Sequence, residues 1–298
     1  MVERGIYVKR LSWLHPGSIL LFGFLSLVGF LCIAPFVYIV SISVSSEEAL
    51  ATHGATLIPS GVTIDAYRFL FSNGDRLFRS FGVSFFLATA GTALNVLATA
   101  MLAYPLSRKY LPYRVLAMKG IFFTMLFSGG LIPSYLLVQS LGLYDSIWAL
   151  ILPGLISSWN LIFMRNFFMT IPDSLEESAL IDGANEIQVF VRIVLPTSKT
   201  IIATIALFYA VAHWNSWFGA LMYISDLDKW PAMLFLRQIL ANLNNPANVV
   251  MTSPIAAKPP TEPLRMACVV VLTVPILLSY PFAQKYFVKG VMLGSIKG

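Results

Sequence analysis

The chain has 298 residues, of which 57% are hydrophobic and only 11% charged, with a mean hydropathy of +0.77. Soluble domains carry roughly 25% charged residues, so this composition excludes an ordinary soluble fold and points to lipid as the solvent. The net charge of +6 comes from bases scattered between apolar blocks, not from one basic face, which excludes a nucleic-acid partner.

A membrane-spanning helix needs about 20 predominantly apolar residues. Six windows between charged residues are of that order: 11–46, 80–107, 120–144, 146–164, 200–225 and 266–284. They predict an all-α, multi-pass integral membrane protein, a single transmembrane domain over 1–298. Its helices are expected at about 18–43, 79–104, 117–139, 146–168, 199–222 and 265–287. The first window follows "YVKR" as a secretory signal would. Its apolar run is longer than the usual roughly 7–15 residues and has no small-x-small cleavage site, so it is expected to stay as the first helix. A seventh charge-free window, 238–257, is rich in Asn and Pro; unpaired amides are costly in lipid, and it is expected to be a loop.

With six spans, both termini share a side with loops 105–116 and 169–198. That side holds thirteen of the 20 Lys and Arg, and the other side seven, which predicts cytoplasmic termini. Cys32 and Cys268 fall within spans and His15, His53 and His213 are scattered, so no disulfide or metal site is expected. No Asp, Glu, Lys or Arg lies well inside a span. A secondary carrier for a small polar solute is the alternative reading, but it would want midplane ionisable residues or discontinuous helices. An intramembrane enzyme would want a nucleophile with its base, which His213 without a carboxylate does not supply.

The least apolar stretch is "EESALIDGANEIQVFVRIVLP", 176–196, with four acidic residues, Glu176, Glu177, Asp182 and Glu186. Ser174 with Glu177, or Asp173 with Glu176, has capping-box spacing, and Gly183 is placed to end the helix. Asn185 with Gln188 repeats the capping pattern. Ile187, Phe190, Val191 and Val194 form an apolar stripe that Pro196 closes. The expectation is helix, glycine corner, helix. Linkers that only lie on a membrane favour Lys and Arg, whereas acids suit docking to a basic protein surface.

This stretch resembles the EAA loop of permease subunits in bacterial ABC importers, E-A-A-x3-G-x9-I-x-L-P. Glu177, Ser178, Ala179, Gly183, Ile193, Leu195 and Pro196 stand at those spacings, departing only in Ser178 for Ala. Asp182, Gly183 and Ala184 match the "DGA" of the carbohydrate branch. The C-terminal "PFAQKYFVKGVMLGSIKG" is similar to the tail of its MalG-like subunits. Within that branch the chain resembles the subgroup taking up oligosaccharides released from complex polysaccharides, alginate importers among them. The resemblance implies the type I ABC importer permease fold in the bacterial inner membrane. It implies a second, non-identical permease, two ATPase subunits and an extracytoplasmic solute-binding protein as partners. ATP and Mg would belong to the ATPases; this chain has no G-x-x-x-x-G-K-[ST] loop and carries no cofactor. The EAA loop would be a coupling helix seated in an ATPase cleft.

Two further sites are expected. Oligosaccharides are held by aromatic faces and by amide and hydroxyl groups, which singles out Asn95, Trp159, Asn160, Tyr209, His213, Trp214, Asn215 and Trp217 for the path. The long loop 223–264 occupies the position of the family's scoop into the binding protein. Asn242, Asn244, Asn245 and Asn248 of "NLNNPAN" form its expected tip, with Asp226, Asp228 and Lys229 near the rim.

Overall fold

A computed structural model describes residues 16–72, 74–243 and 261–295, with side chains to 279. Among these residues the secondary structure is helical apart from one isolated bridge between Ser45 and Val62. The chain divides into two compact units, 1–72 with 249–271 and 73–248 with 272–298.

In the first unit, α1 (Pro16–Ser43) is followed by α2 (Glu47–His53) and α3 (Asp65–Ser72). Leu20, Phe24, Phe30 and Ile33 of α1 are all exposed, a surface suited to lipid or to another apolar helix. Buried serines end α1. Ser41 Oγ donates to the Thr56 carbonyl (3.0 Å), Ser45 Oγ accepts from the Ser60 amide (3.1 Å), and Ser43 Oγ pairs with the Tyr67 hydroxyl (2.8 Å). These bonds satisfy polar groups at the helix end and fold the following loop back on it.

The second unit contains α4 (Gly74–Phe86), a π turn over Leu87–Gly91, α5 (Thr92–Ser107), α6 (Arg114–Leu126), α7 (Leu131–Ser140) and α8 (Ser158–Phe168). It continues through α9 (Asp173–Ile181), α10 (Glu186–Val189), a second π turn at Phe190–Val194, α11 (Leu195–Thr197), α12 (Lys199–Trp214), α13 (Phe218–Tyr223) and α14 (Ala232–Leu243). The last helix, α15 (Thr261–Ser295), begins in the first unit. Helices α5, α8 and α12 meet around a core of Ala100, Ala103, Leu161, Met164, Phe168, Ile205 and Tyr209. Small residues on α5 (Thr99, Ala100, Ala103) let the backbones approach closely, the usual way of packing helices without a hydrophobic drive between them.

Among the described residues, three helices are long and apolar enough to cross a membrane: Leu20–Ser43, Gly74–Ser107 and Thr261–Ser279. Three bent pairs pass the same test together, which raises the number to six if each pair is one span. Two of these pairs overlie the helices expected at 117–139 and 146–168, which are corrected to broken ones; the third joins Glu186–Thr197 to Lys199–Trp214, and the helix expected at 199–222 is broken at a separate place within it. Arg114–Leu126 and Leu131–Ser140 meet at 115°, where Gly130 has φ +90°. Ile147–Gly154, two 3-10 turns joined at Ile151 with Pro153 in the second, meets Ser158–Phe168 at 51°. α12 stops at Trp214, and 215–217 separate it from α13. Each break frees backbone groups that neighbouring helices must satisfy. Helix continuity therefore gives no argument against the secondary-carrier alternative.

Candidate functional site

The stretch 173–197 folds as a helix, a glycine corner and a second helix. The start of α9 differs from expectation: Pro172 is its N-cap, and no side chain caps it, so neither Ser174 with Glu177 nor Asp173 with Glu176 forms a box. The corner is as expected. Gly183 has φ +85°, and its N–H donates to the Leu180 carbonyl (3.1 Å) while Ala184 N–H donates to Ala179 (2.9 Å), a Schellman closure. The box of Asn185 and Gln188 is formed reciprocally at 2.9 Å in both directions.

The apolar stripe of the second helix is re-registered. Val189 and Val194 are buried, while Ile187 and Val191 are exposed. A π turn places residues five apart on one face. It comes just before Pro196, whose missing N–H and bulky ring disturb α-helical bonding to the preceding turn. Pro196 does not close the helix. A further short turn, α11, follows, and the chain bends by 81° into α12.

The motif residues divide between two faces. Ala179, Ala184, Ile193 and Leu195 pack against the core of their own chain. Glu177, Ser178, Asp182, Gly183 and Pro196 are exposed, beside Ile181 (86% exposed) and Ile187 (73%). The outward surface is therefore two carboxylates set among aliphatic side chains, a combination that fits a partly basic, partly apolar cleft.

The other acids turn inward to the end of α5, which the sequence reading did not foresee. Glu176 (7% exposed) is ion-paired with Arg108 (4% exposed), whose guanidinium lies 4.7 Å from the Tyr104 ring centre. Burial raises the Glu176 carboxyl above its usual range, and Arg108 opposes that shift. Glu186 accepts from the hydroxyls of Tyr104 and Tyr110, each at 3.1 Å, and Lys109 reaches Asp173 at 3.3 Å. Burial and then the Glu186 bond raise the Tyr110 phenol. Arg114 and Arg165 donate to the Arg108 and Leu106 carbonyls (3.3 and 3.1 Å), covering the free carbonyls at the end of α5.

The eight residues expected along a sugar path separate into ties and exposed groups. Asn95 Nδ2 donates to the Gly154 carbonyl (2.8 Å), and its Oδ1 faces His213 Nε2 at 3.1 Å. The Tyr209 hydroxyl bonds Thr99 (2.8 Å) and accepts from the Ser157 amide (2.9 Å). Trp214 Nε1 donates to the Leu272 carbonyl (3.2 Å), and its ring packs on Phe81 and Phe85. These four are buried and bonded to neighbouring helices, so within this chain they tie helices together. Asn160 is buried as well. Trp159 and Asn215 are exposed and Trp217 half-exposed, with the Asn215 amide bonded back to Val211. Trp217 carries an unforeseen neighbour, the Arg237 guanidinium, stacked 3.4 Å from its ring centre.

Loop 223–264 is not irregular throughout, since α14 lies within it. Of its expected tip, Asn242 lies in the last turn of α14, and Asn244, Asn245 and Asn248 lie outside the described residues. Asp226, Asp228 and Lys229 bond within the chain. Asp145 Oδ1 accepts from the Ser225 and Asp226 amides (3.1 and 3.0 Å), Lys229 reaches the Asp145 carbonyl (2.8 Å), and Arg79 pairs with Asp228 (2.7 Å).

The profile of one family, described as "Binding-protein-dependent transport system inner membrane component", matches residues 77–293. The chain belongs to this family. The permease is 45% identical over 281 residues to the polygalacturonan/rhamnogalacturonan transport system permease protein YtcP of Bacillus subtilis (strain 168), across 94% of this chain and 98% of that one. It is 48% identical over 277 residues to protein LplC of the same organism, across 92% of each. Its fold matches a chain from the crystal structure of a bacterial ABC transporter involved in the import of the acidic polysaccharide alginate. The TM-score is 0.80 at 29% identity, over 91% of this chain and 96% of that one. The permease is thus an inner-membrane transport subunit of an ABC importer, not an enzyme.

Arg108, Tyr104 and Arg237 escaped the sequence reading. Each acquires its meaning from a partner distant in the chain, and no spacing rule links Arg108 to Glu176 or Arg237 to Trp217.

Proposed function

We propose that this permease forms half of the passage for oligosaccharides released from acidic polysaccharides. It works as one domain over 1–298, with six spans and both termini in the cytoplasm. A second, non-identical permease forms the other half, two ATPase subunits bind ATP and Mg and hydrolyse the ATP, and an extracytoplasmic binding protein delivers the sugar. The observation that carries the coupling role is the exposed face of α9 and its corner. Glu177 and Asp182 are free to accept charge-assisted hydrogen bonds from an ATPase, roughly 1.5–3 kcal/mol each when well made. Ser178 and Gly183 permit close approach, and Ile181 and Ile187 supply apolar area.

The substrate class follows from two relatives, one named for polygalacturonan and rhamnogalacturonan, the other from an importer of alginate; both kinds of polymer carry carboxylates. The stack of Arg237 on Trp217 suits such a ligand, since stacking covers one face of the planar guanidinium and leaves its edge donors open to a carboxylate. With Trp159, Asn160 and Asn215 it forms the proposed sugar-contacting set, and 242–248 remains the proposed contact with the binding protein. The test is ATP hydrolysis by the reconstituted importer with its binding protein, given oligogalacturonides, alginate oligomers or neutral oligosaccharides. Stimulation by the acidic sugars is expected; stimulation by neutral sugars alone defeats the substrate reading.

A further inference from the structure

An arm that transmits force must be fixed to what it moves. α9 has nine residues, and its two ends, Pro172 and the Gly183 corner, bond only within the α9 stretch itself and do not tie it to α5. Its packing into the core is limited, with Leu175, Leu180 and Ile181 all exposed. What holds it is electrostatic and aimed at one place, the last turn of α5. There Glu176 meets Arg108, with Asp173 to Lys109 and Glu186 to Tyr104 and Tyr110 around it. Neither Glu176 nor Arg108 exposes enough surface to touch another subunit, in contrast to Glu177 next in sequence. α5 in turn packs against α8 and α12.

We propose that the buried ion pair of Arg108 and Glu176 is the joint that delivers movement of α9 to α5, so that both are positioning residues and not ATPase-docking groups. The proposal rests on the coupling reading above. Two buried charges in mutual contact resist separation and rotation far more than an exposed pair, because water cannot replace either partner as they part. Removing one partner loosens the joint while leaving the outward docking face intact. The outer bonds, Lys109 to Asp173 and the tyrosines to Glu186, restrict the remaining swing.

The experiment uses the whole importer in proteoliposomes and measures uptake of a transported oligosaccharide per ATP hydrolysed, together with retention of the ATPase subunits. Glu176→Gln, Arg108→Gln, Arg108→Lys and the swap Arg108→Glu with Glu176→Arg are compared with Glu177→Lys. The two Gln variants are expected to keep the ATPase bound and to lose about tenfold or more in uptake per ATP, as an unpaired buried charge reweights a two-state element. Arg108→Lys and the swap are expected to recover most of that loss. Wild-type uptake per ATP in both Gln variants overturns the proposal, as does loss of the ATPase from them in detergent. If the Gln variants do not accumulate, Arg108→Lys and the swap decide: near-normal coupling in both sustains the joint, and uncoupling of an assembled swap overturns it. Glu177→Lys separates the two levels. If it transports normally, the coupling reading itself fails; if it uncouples while the Gln variants do not, only the joint fails.

Discussion

Gly91 has no room for a side chain. A Cβ built there would lie 2.9 Å from His213 Nε2, and His213 is held in place by its bond to Asn95. Gly91→Ala is expected to cost about 1–3 kcal/mol through overpacking, read as a lower unfolding temperature in detergent; an unchanged temperature refutes it. Asp145 offers a second check at this scale. The Asp226 amide, and after it Lys229 and the Ser225 amide, hold its carboxyl below the usual 3.8. The folded chain therefore binds this proton more weakly than the unfolded one. Its stabilisation is complete above the ordinary aspartate value and is lost as pH falls through the lowered one. Compared from about pH 7 down to about pH 3, the stability deficit of Asp145→Asn should shrink toward the acid end. A constant deficit would show that Asp145 acts by geometry alone.

Among elements, the corner after α9 depends on a left-handed residue. Gly183→Asp adds about 1–2 kcal/mol of backbone strain at φ +85° and a third carboxylate beside Glu177 and Asp182. Uptake should fall while ATP hydrolysis persists, and normal uptake by the assembled variant would count against the corner as a docking element. At α14, Arg237→Gln should keep the indole face of Trp217 but remove the charge above it. The expected result is a loss of preference for acidic over neutral oligosaccharides, by about tenfold for one charge-assisted contact. An unchanged preference removes Arg237 from the path. The π turn at Phe190–Val194 shows why the stripe of this second helix was misassigned. Counting at 3.6 residues put Ile187, Phe190, Val191 and Val194 on one face; Phe190 and Val194 do pack inward, but the wider turn before Pro196 brings in Val189 and leaves Ile187 and Val191 exposed.

For the whole molecule, the distribution of bases predicts that α9 and the loop at 226–229 lie on opposite sides of the membrane. Single cysteines at Glu177 and at Leu227, both exposed, test this after replacement of Cys32 and Cys268. An impermeant maleimide added to right-side-out vesicles should label the Leu227 position and spare Glu177 until the membrane is opened. Equal labelling before opening defeats the six-span topology. Broken helices belong to this scale too. The six apolar windows were legible because lipid demands long uncharged runs, but the bends at 127–130 and 155–157 were not, since apolar content is the same in a straight helix and a kinked one.

The sequence alone was enough for what depends on composition and fixed spacing. Lipid as solvent followed from 11% charged residues, the corner at Gly183 and the box of Asn185 and Gln188 followed from local capping rules, and the EAA pattern was legible as a family resemblance. Only the tertiary structure could assign faces. It turned Glu176 inward to Arg108 and left Glu177 outside, made ties of Asn95, Tyr209, His213 and Trp214, and set Arg237 over Trp217. The physical reason is that a polar side chain in an apolar chain is defined by its partner, and these partners lie between 20 and 118 residues away, beyond any local periodicity.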